Sequence, residues 1–217
     1  WTLSLNELIK ITKEQSLRSF ILLGFFVGFG FLSKYAAVYF IICFVVLVLL
    51  DKKFRKIFSN NFLGFGLSLF FVLTIITPNI IWNINNDWIT IKHTSDNANF
   101  ANIEISLVRG LEFLLIQILM LGPFIVMGGL INFTKINNNQ KIFLIFSLPI
   151  ILIVLIEAVI VRANANWAAP ALISLYAFLI IGISNSFLKM INFIFNFAFC
   201  FILFVMITTS HSSKIFD

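Results

Sequence analysis

Apolar runs dominate the chain, and its polar positions fall in a few breaks between them. Residues 17–50 are almost continuously apolar, interrupted only at Ser33, Lys34 and Tyr35. At about 1.5 Å of rise per residue, one straight helix of that length would overshoot a hydrocarbon core of about 30 Å. A single crossing would also put Asp51-Lys52-Lys53-Phe54-Arg55-Lys56 on the opposite side from Lys10, Lys13 and Arg18. The pattern therefore predicts two shortened or tilted passes with Ser-Lys-Tyr at their apex. Residues 1–11 read as the tail of a span. Further spans are predicted at 62–81, ending around Pro78, and at 107–131, which carries Glu112 and Gln117 and is broken at Gly122-Pro123. Spans at 142–161, 171–184 and 191–209 follow, with Lys189 marking the last turn, for about seven spans or partial spans in all. Between them lies one long polar segment, 78–106, read as an ordered functional loop or a solvated connector, because structureless loops of that length are uncommon in compact domains.

Composition removes the soluble alternatives. The chain is 60% hydrophobic and 11% charged with a mean hydropathy of +1.05, against about 45–50% and about 25% in soluble domains. Continuous runs, rather than dyad alternation, exclude a membrane barrel. The fold class predicted is an all-α, polytopic transmembrane helical bundle, a single domain over 1–217. Because the chain begins at Trp1, it is read as a later piece of a longer protein. The net charge of +6 reads as topology and not as nucleic-acid binding. The predicted topology puts Lys10, Lys13, Arg18, Lys52, Lys53, Arg55, Lys56, Lys135, Lys141 and Lys189 on the cytoplasmic side. Only Lys34, Lys92, Arg109, Arg162 and Lys214 fall on the other, the bias expected of a membrane protein. The Asn132-Phe133-Thr134 sequon then lies on the wrong side for glycosylation. Cys43 and Cys200 sit inside apolar runs, so no disulfide is expected.

Three polar breaks share the non-cytoplasmic face in this topology: Ser33-Lys34-Tyr35, the 78–106 segment and residues 162–170. Charge at membrane depth is costly, so Lys34 and Arg162 need a partner, a wet cavity or a route to the interface. Taken alone, Lys34 suits a lysine snorkelling to headgroups, and Arg162 suits an interfacial anchor as well as a site. Glu112 and Glu157 could be their counter-ions, and the sequence does not pair them. Trp82, Trp88 and Trp167 read as an aromatic belt. A lone His93 lacks a partner at ligand spacing, and no HxxxH, CxxC or acidic pair points to a metal. Gly24, Gly28 and Gly30 offer a small-residue face to another helix.

Four motifs in order, GFFVGFGFLSKYAAVYF, TPNIIWNINNDWITIKH, QILMLGP and RANANWAAPAL, resemble bacterial membrane glycosyltransferases of family 39. These are GT-C-fold enzymes related to protein O-mannosyltransferases and lipid A aminoarabinose transferases, and the likeness is to their later half. The resemblance implies a multi-pass enzyme of the bacterial inner membrane that transfers a sugar from a polyprenyl-phosphate donor at the periplasmic face. The acceptor would be a glycan, a lipid or a protein; membrane lipid and the lipid-linked sugar are the other partners. No further cofactor and no metal is expected. The family's general base lies in an earlier periplasmic loop, so the catalytic carboxylate is expected upstream of Trp1, and neither Asp87 nor Asp96 is put in its place. The segment alone is expected to be inactive. Lys34 and Arg162 become candidate donor-phosphate ligands, since fixed cations stabilise a phosphate leaving group in a low-dielectric site. Tyr35, Trp88, His93, Asn164, Asn166 and Trp167 become candidate pocket residues. Two other readings use the same residues: a lipid-linked sugar flippase or transporter, and a non-catalytic membrane scaffold.

Overall fold

The computed structural model describes residues 1–98, 103–131 and 138–213. Everything regular among them is helical. The sequon at 132–134, Lys135 and Lys214 lie outside the described residues.

The amino-terminal third folds as three packed helices. In α1 (Thr2–Glu14), Leu5, Leu8 and Ile11 recur at helical spacing and are buried, and Trp1 packs edge-on to Phe40 and Phe146. Gln15 takes a left-handed conformation, and Ser16 caps α2 (Leu17–Ser33) by accepting from the Ser19 amide, so the chain reverses within two residues. At Lys34 the backbone is extended, and a 3₁₀ turn over Tyr35–Ala37 leads into α3 (Val38–Leu50). Two helices with the break between them at Ser-Lys-Tyr form where the pattern predicts them.

Asp51 then bends the chain by 107° into α4 (Lys52–Asn60). This helix buries Phe54 and Ile57 while Lys52, Lys53, Arg55 and Lys56 stay exposed, the pattern of a helix lying along an interface. The Asp51 carboxylate accepts from the Phe54 amide at 2.9 Å and pairs with Lys141 at 3.2 Å. Burial opposes ionisation of Asp51, but the Phe54 amide and Lys141 more than offset it and hold the carboxyl below the usual range. A lowered folded-state pKa stabilises the fold above the unfolded value, and that contribution is lost as pH falls through the folded value. Asp51→Ala should therefore lower stability by about 1 kcal/mol at neutral pH. In detergent melts the difference from the parent protein should shrink below about pH 4. A difference independent of pH would deny the carboxylate this role.

The next helix, α5 (Phe62–Asn85), corrects the sequence reading. It was expected to stop near Pro78, and it runs through Pro78 to Asn85. A proline removes one helical hydrogen bond, and nearby Thr74 and Thr77 donate their hydroxyls back to the Phe70 and Leu73 carbonyls. Among the described residues, the first part of the long polar segment is thus helical and not a loop: after a turn at 86–88 it forms α6 (Ile89–Ala98). Extended residues 103–106 follow, with the amides of Glu104 and Ser106 bonded to the Ile160 and Val159 carbonyls.

The remaining helices are α7 (Leu107–Leu121), α8 (Pro123–Ile131), α9 (Asn138–Ile145), α10 (Leu148–Ile160), α11 (Ala169–Gly182) and α12 (Ser186–Ser213). The Gly122-Pro123 break bends α7 from α8 by 93°. The last turn sits at 183–185 rather than at Lys189, because Asn185 caps α12 by accepting from the Phe187 and Leu188 amides. Four helices among the described residues are long and apolar enough to cross a membrane, two bent pairs qualify jointly, and Leu17–Ser33 is a shorter apolar helix. The main core joins α1, α3 and α10 around Leu8, Leu47, Phe146, Ile150 and Val154.

The predicted glycine face holds at two of its three positions. Gly24 and Gly28 lie against α5, close to Ser68 and Ile75, whereas Gly30 has only Ala37 within reach. At the opposite end of the fold, the predicted basic clusters converge: Lys13, Asp51 and Lys53 line one cavity, and Asn61 bonds to Gln15 at 2.8 Å.

Candidate functional site

Two neighbouring cavities open where the Ser-Lys-Tyr break, α6 and the 162–170 turn converge. The larger, about 530 Å³, is mostly apolar, with Phe31, Ile80, Trp88 and Ile91 in its walls and Tyr35, Asn79, Asn83 and Glu157 supplying polar atoms. The second, about 400 Å³, is lined by Lys34, Tyr35, Tyr39, Glu157 and Trp167 among others. Tyr35, Val38, Thr94 and Glu157 border both.

A hydrogen-bonded cluster builds the wall between α5, α6 and the 3₁₀ turn. The Tyr35 hydroxyl lies 3.2 Å from Asn79 Oδ1 and 3.1 Å from Thr90 Oγ1. Buried Asn83 donates to the Asn79 carbonyl at 2.9 Å and to the Tyr35 hydroxyl at 3.4 Å, and accepts from Thr90. Its own carbonyl accepts from the Trp88 amide at 2.8 Å. That bond spans a turn in which Asp87 and Trp88 both have positive φ, 51° and 57°. A left-handed Trp is disfavoured by about 1–2 kcal/mol, so the Asn83 bonds hold a strained turn that sets Trp88 in the cavity wall.

The 162–170 turn is held from two sides. Lys34 Nζ donates to the Asn166 carbonyl at 3.3 Å, and Gln117, from α7, donates to the Ala165 carbonyl at 3.2 Å. Lys34 forms no ion pair among the described residues, although Glu157 borders the same cavity. An exposed lysine that spends one proton on a carbonyl keeps two donors for an anion.

The family profile of dolichyl-phosphate-mannose-protein mannosyltransferases matches residues 1–82. The lipid A galacturonosyltransferase RgtD of Rhizobium johnstonii is 28% identical over 169 residues, covering 76% of this chain and 35% of that protein. The chain resembles the GT-C membrane glycosyltransferases. It spans about a third of the length of the curated relative it matches. No solved structure matches it.

Within this GT-C-like chain the structure groups only part of the predicted site. Lys34, Tyr35, Trp88 and Trp167 line the two cavities, and Asn166 enters through its backbone carbonyl. Tyr35 offers its ring, since its hydroxyl already bonds Asn79 and Thr90. Arg162, Asn164 and His93 are exposed and line neither cavity. Of the two suggested counter-ions, Glu157 faces both cavities, and Glu112 is exposed and lines neither. Sequence reasoning did not single out Asn79, Asn83, Thr90 and Thr94. The run Asn79-x-x-x-Asn83 is the one signal that could have pointed to them, because it puts two amides on one helix face once the helix is known to pass Pro78. Among the described residues no cluster of three or more His, Cys, Asp or Glu side chains is placed to hold a metal.

Proposed function

We propose that this chain is the lipid-carrier-binding part of a membrane glycosyltransferase, which transfers a sugar from a polyprenyl-phosphate donor to a glycan, lipid or protein acceptor. The observation that carries the reading is Lys34, an ammonium with no carboxylate partner among the described residues, on a cavity that adjoins a larger apolar one. A polyprenyl-phosphate sugar has the matching parts: a long apolar chain, a phosphate, and a sugar beyond it. The donor phosphate contacts Lys34, the start of its isoprenoid chain occupies the apolar cavity, and Trp167 flanks the sugar. Arg162, at the start of the same turn, is the second phosphate candidate. In this reading the site opens to the periplasm, the exposed Lys52, Lys53, Arg55 and Lys56 face the cytoplasm, and the carboxylate that deprotonates the acceptor lies elsewhere in the full-length protein. The galacturonosyl and lipid A specificities in the relative's name belong to that relative.

The test is binding of unglycosylated polyprenyl phosphate to the full-length protein in lipid nanodiscs. A charge-assisted hydrogen bond contributes about 1.5–3 kcal/mol, so Lys34→Met should weaken binding about 10-fold to 100-fold, with partial rescue by Lys34→Arg. Arg162→Ala in parallel decides whether the second cation shares the phosphate. Unchanged affinity in folded Lys34→Met protein would overturn the assignment. The 93° break between α7 and α8 favours one other reading, a flippase for the same lipid, since broken helices are common in transporters. Sugar transfer to acceptor by the full-length protein, without net movement of donor between leaflets, separates the two.

A further inference from the structure

We propose that Glu157 is the sugar-selecting residue of this site, and that the sugar it admits presents hydroxyl or amine donors and carries no carboxylate. The proposal rests on the glycosyltransferase reading above and names the substrate class of the same cavity.

Glu157 is the one charged residue of α10, whose sequence is LPIILIVLIEAVI. An acidic side chain in a membrane-spanning helix is costly, and where one persists it is paired or faces a wet cavity. Here pairing does not account for it. Among the described residues Glu157 makes no ion pair, and its side chain makes no hydrogen bond, so the fold draws no stabilisation from its carboxylate. The neighbouring Val154 and Ala158 are buried in the core, while Glu157 is only half-buried and lines both cavities at their junction.

Lys34 borders the same 400 Å³ cavity. Two opposite charges therefore share one small space without bonding to each other, which leaves both for a ligand. A ligand that satisfies the pair has an anionic group for Lys34 and, beside it, hydrogen-bond donors for a carboxylate. A sugar joined to a phosphate has this order of groups. Tyr39 and Trp167 on the same walls supply flat apolar faces for the sugar ring. A uronic acid would bring a second carboxylate toward Glu157, and like charges in a desolvated site repel strongly, so the same residue that accepts hydroxyls rejects acidic sugars.

The experiment measures competition for the full-length protein in nanodiscs among polyprenyl phosphates that carry no sugar, a neutral hexose, an amino sugar or a uronic acid. The hexose or amino-sugar carrier should bind about 10-fold or more tightly than the uronic-acid carrier, a difference of about 1.4 kcal/mol. Glu157→Gln, which keeps the shape of the side chain, should narrow that gap to about threefold, whatever it does to the bare carrier through relief of the charge beside the phosphate. A selective loss of the amino-sugar carrier in Glu157→Gln identifies the amine as the recognised group; equal loss of hexose and amino-sugar carriers identifies the hydroxyls. Glu157→Lys should invert the preference toward the uronic acid. Equal or tighter binding of the uronic-acid carrier by the parent protein would overturn the proposal, as would a Glu157→Gln effect equal on all four ligands. Binding of the bare carrier that depends on Lys34 while sugar preference ignores Glu157 sinks only this inference. No binding of the bare carrier sinks the reading beneath it as well.

Discussion

Replacing Asn192 with Leu should destabilise the fold by about 2–4 kcal/mol, one of the largest effects of any single substitution in the chain. Asn192 lies fully buried on α12, and its amide bridges the break between α7 and α8. Its Nδ2 donates to the Leu121 carbonyl at 3.1 Å, at the end of α7. Its Oδ1 accepts from the Ile125 amide at 3.0 Å, in the first turn of α8. A helix start normally takes such a bond from its own capping side chain. The residue before Pro123 is Gly122, which has no side chain, so the cap comes from another helix. Gly122 itself must be glycine: its φ is 94°, and a Cβ there would stand 2.1 Å from Asn192 Oδ1.

With Leu at 192, the buried Ile125 N–H has no acceptor in its place. The Leu121 carbonyl fares better, because Asn196 also donates to it, at 3.2 Å. Asn196→Leu should therefore cost clearly less than Asn192→Leu. Unfolding of the purified protein in mixed detergent micelles, followed by helical circular dichroism, would rank the two. Equal costs would show that Asn192 fills space and does not clip the broken span.

Much of this architecture was legible in the sequence because membrane-spanning helices announce themselves locally. The two passes around Ser33-Lys34-Tyr35 followed from comparing run length with bilayer thickness, and the Gly122-Pro123 break followed from glycine and proline chemistry. What failed was inference from one residue to a boundary. Pro78 reads as a stop, yet a proline costs only one helical bond, and a helix of 24 residues carries that loss and continues to Asn85. Reading a stop there hid the face shared by Asn79 and Asn83, and with it the cluster that fixes Tyr35, Thr90 and Trp88. Lys189 was displaced for a similar reason: a lysine marks an interface only to within a helical turn, and Asn185 decides where α12 begins.

The site was legible as a convergence of three breaks, and not as a list of side chains. Nothing local distinguishes Lys34, which lines a cavity, from Arg162, which is equally exposed and lines neither cavity; the difference comes from how the 162–170 turn packs under Gln117 and Lys34. Glu157 was visible as a charge out of place, but its direction depends on the helical phase of α10 against Val154 and Ala158. Asn192 was beyond reach, since its partners lie about 70 residues earlier in the chain.

The helix pair α2 and α5 yields the other large effect: Gly24→Leu should destabilise by about 2–3 kcal/mol or prevent the two helices from closing. Even a Cβ at position 24 would meet the Ser68 carbonyl oxygen at 2.4 Å and the Ser68 Cα at 3.0 Å. Those are backbone atoms, which cannot rotate away, so relief requires the helices to part. Parting them also breaks the bond from the Ser68 hydroxyl to the Phe20 carbonyl, 2.7 Å long and buried between the same helices. The contact is reciprocal, since Gly64 on α5 lies against the Phe20 ring. Gly66, two residues further along α5, has nothing within 4 Å of where its Cβ would stand. Gly66→Ala should consequently be neutral or stabilise by up to about 1 kcal/mol through helix propensity. Because α2 ends at Ser33, two residues before Tyr35, and α5 carries Asn79 and Asn83, a displaced crossing should also separate Tyr35 from its amide partners. If the proposed donor site is correct, a chain bearing Gly24→Leu should thus lose affinity for polyprenyl phosphate together with stability. If Gly24→Leu and Gly66→Ala unfold at the same temperature, the close crossing of α2 and α5 is not what holds this part of the site together.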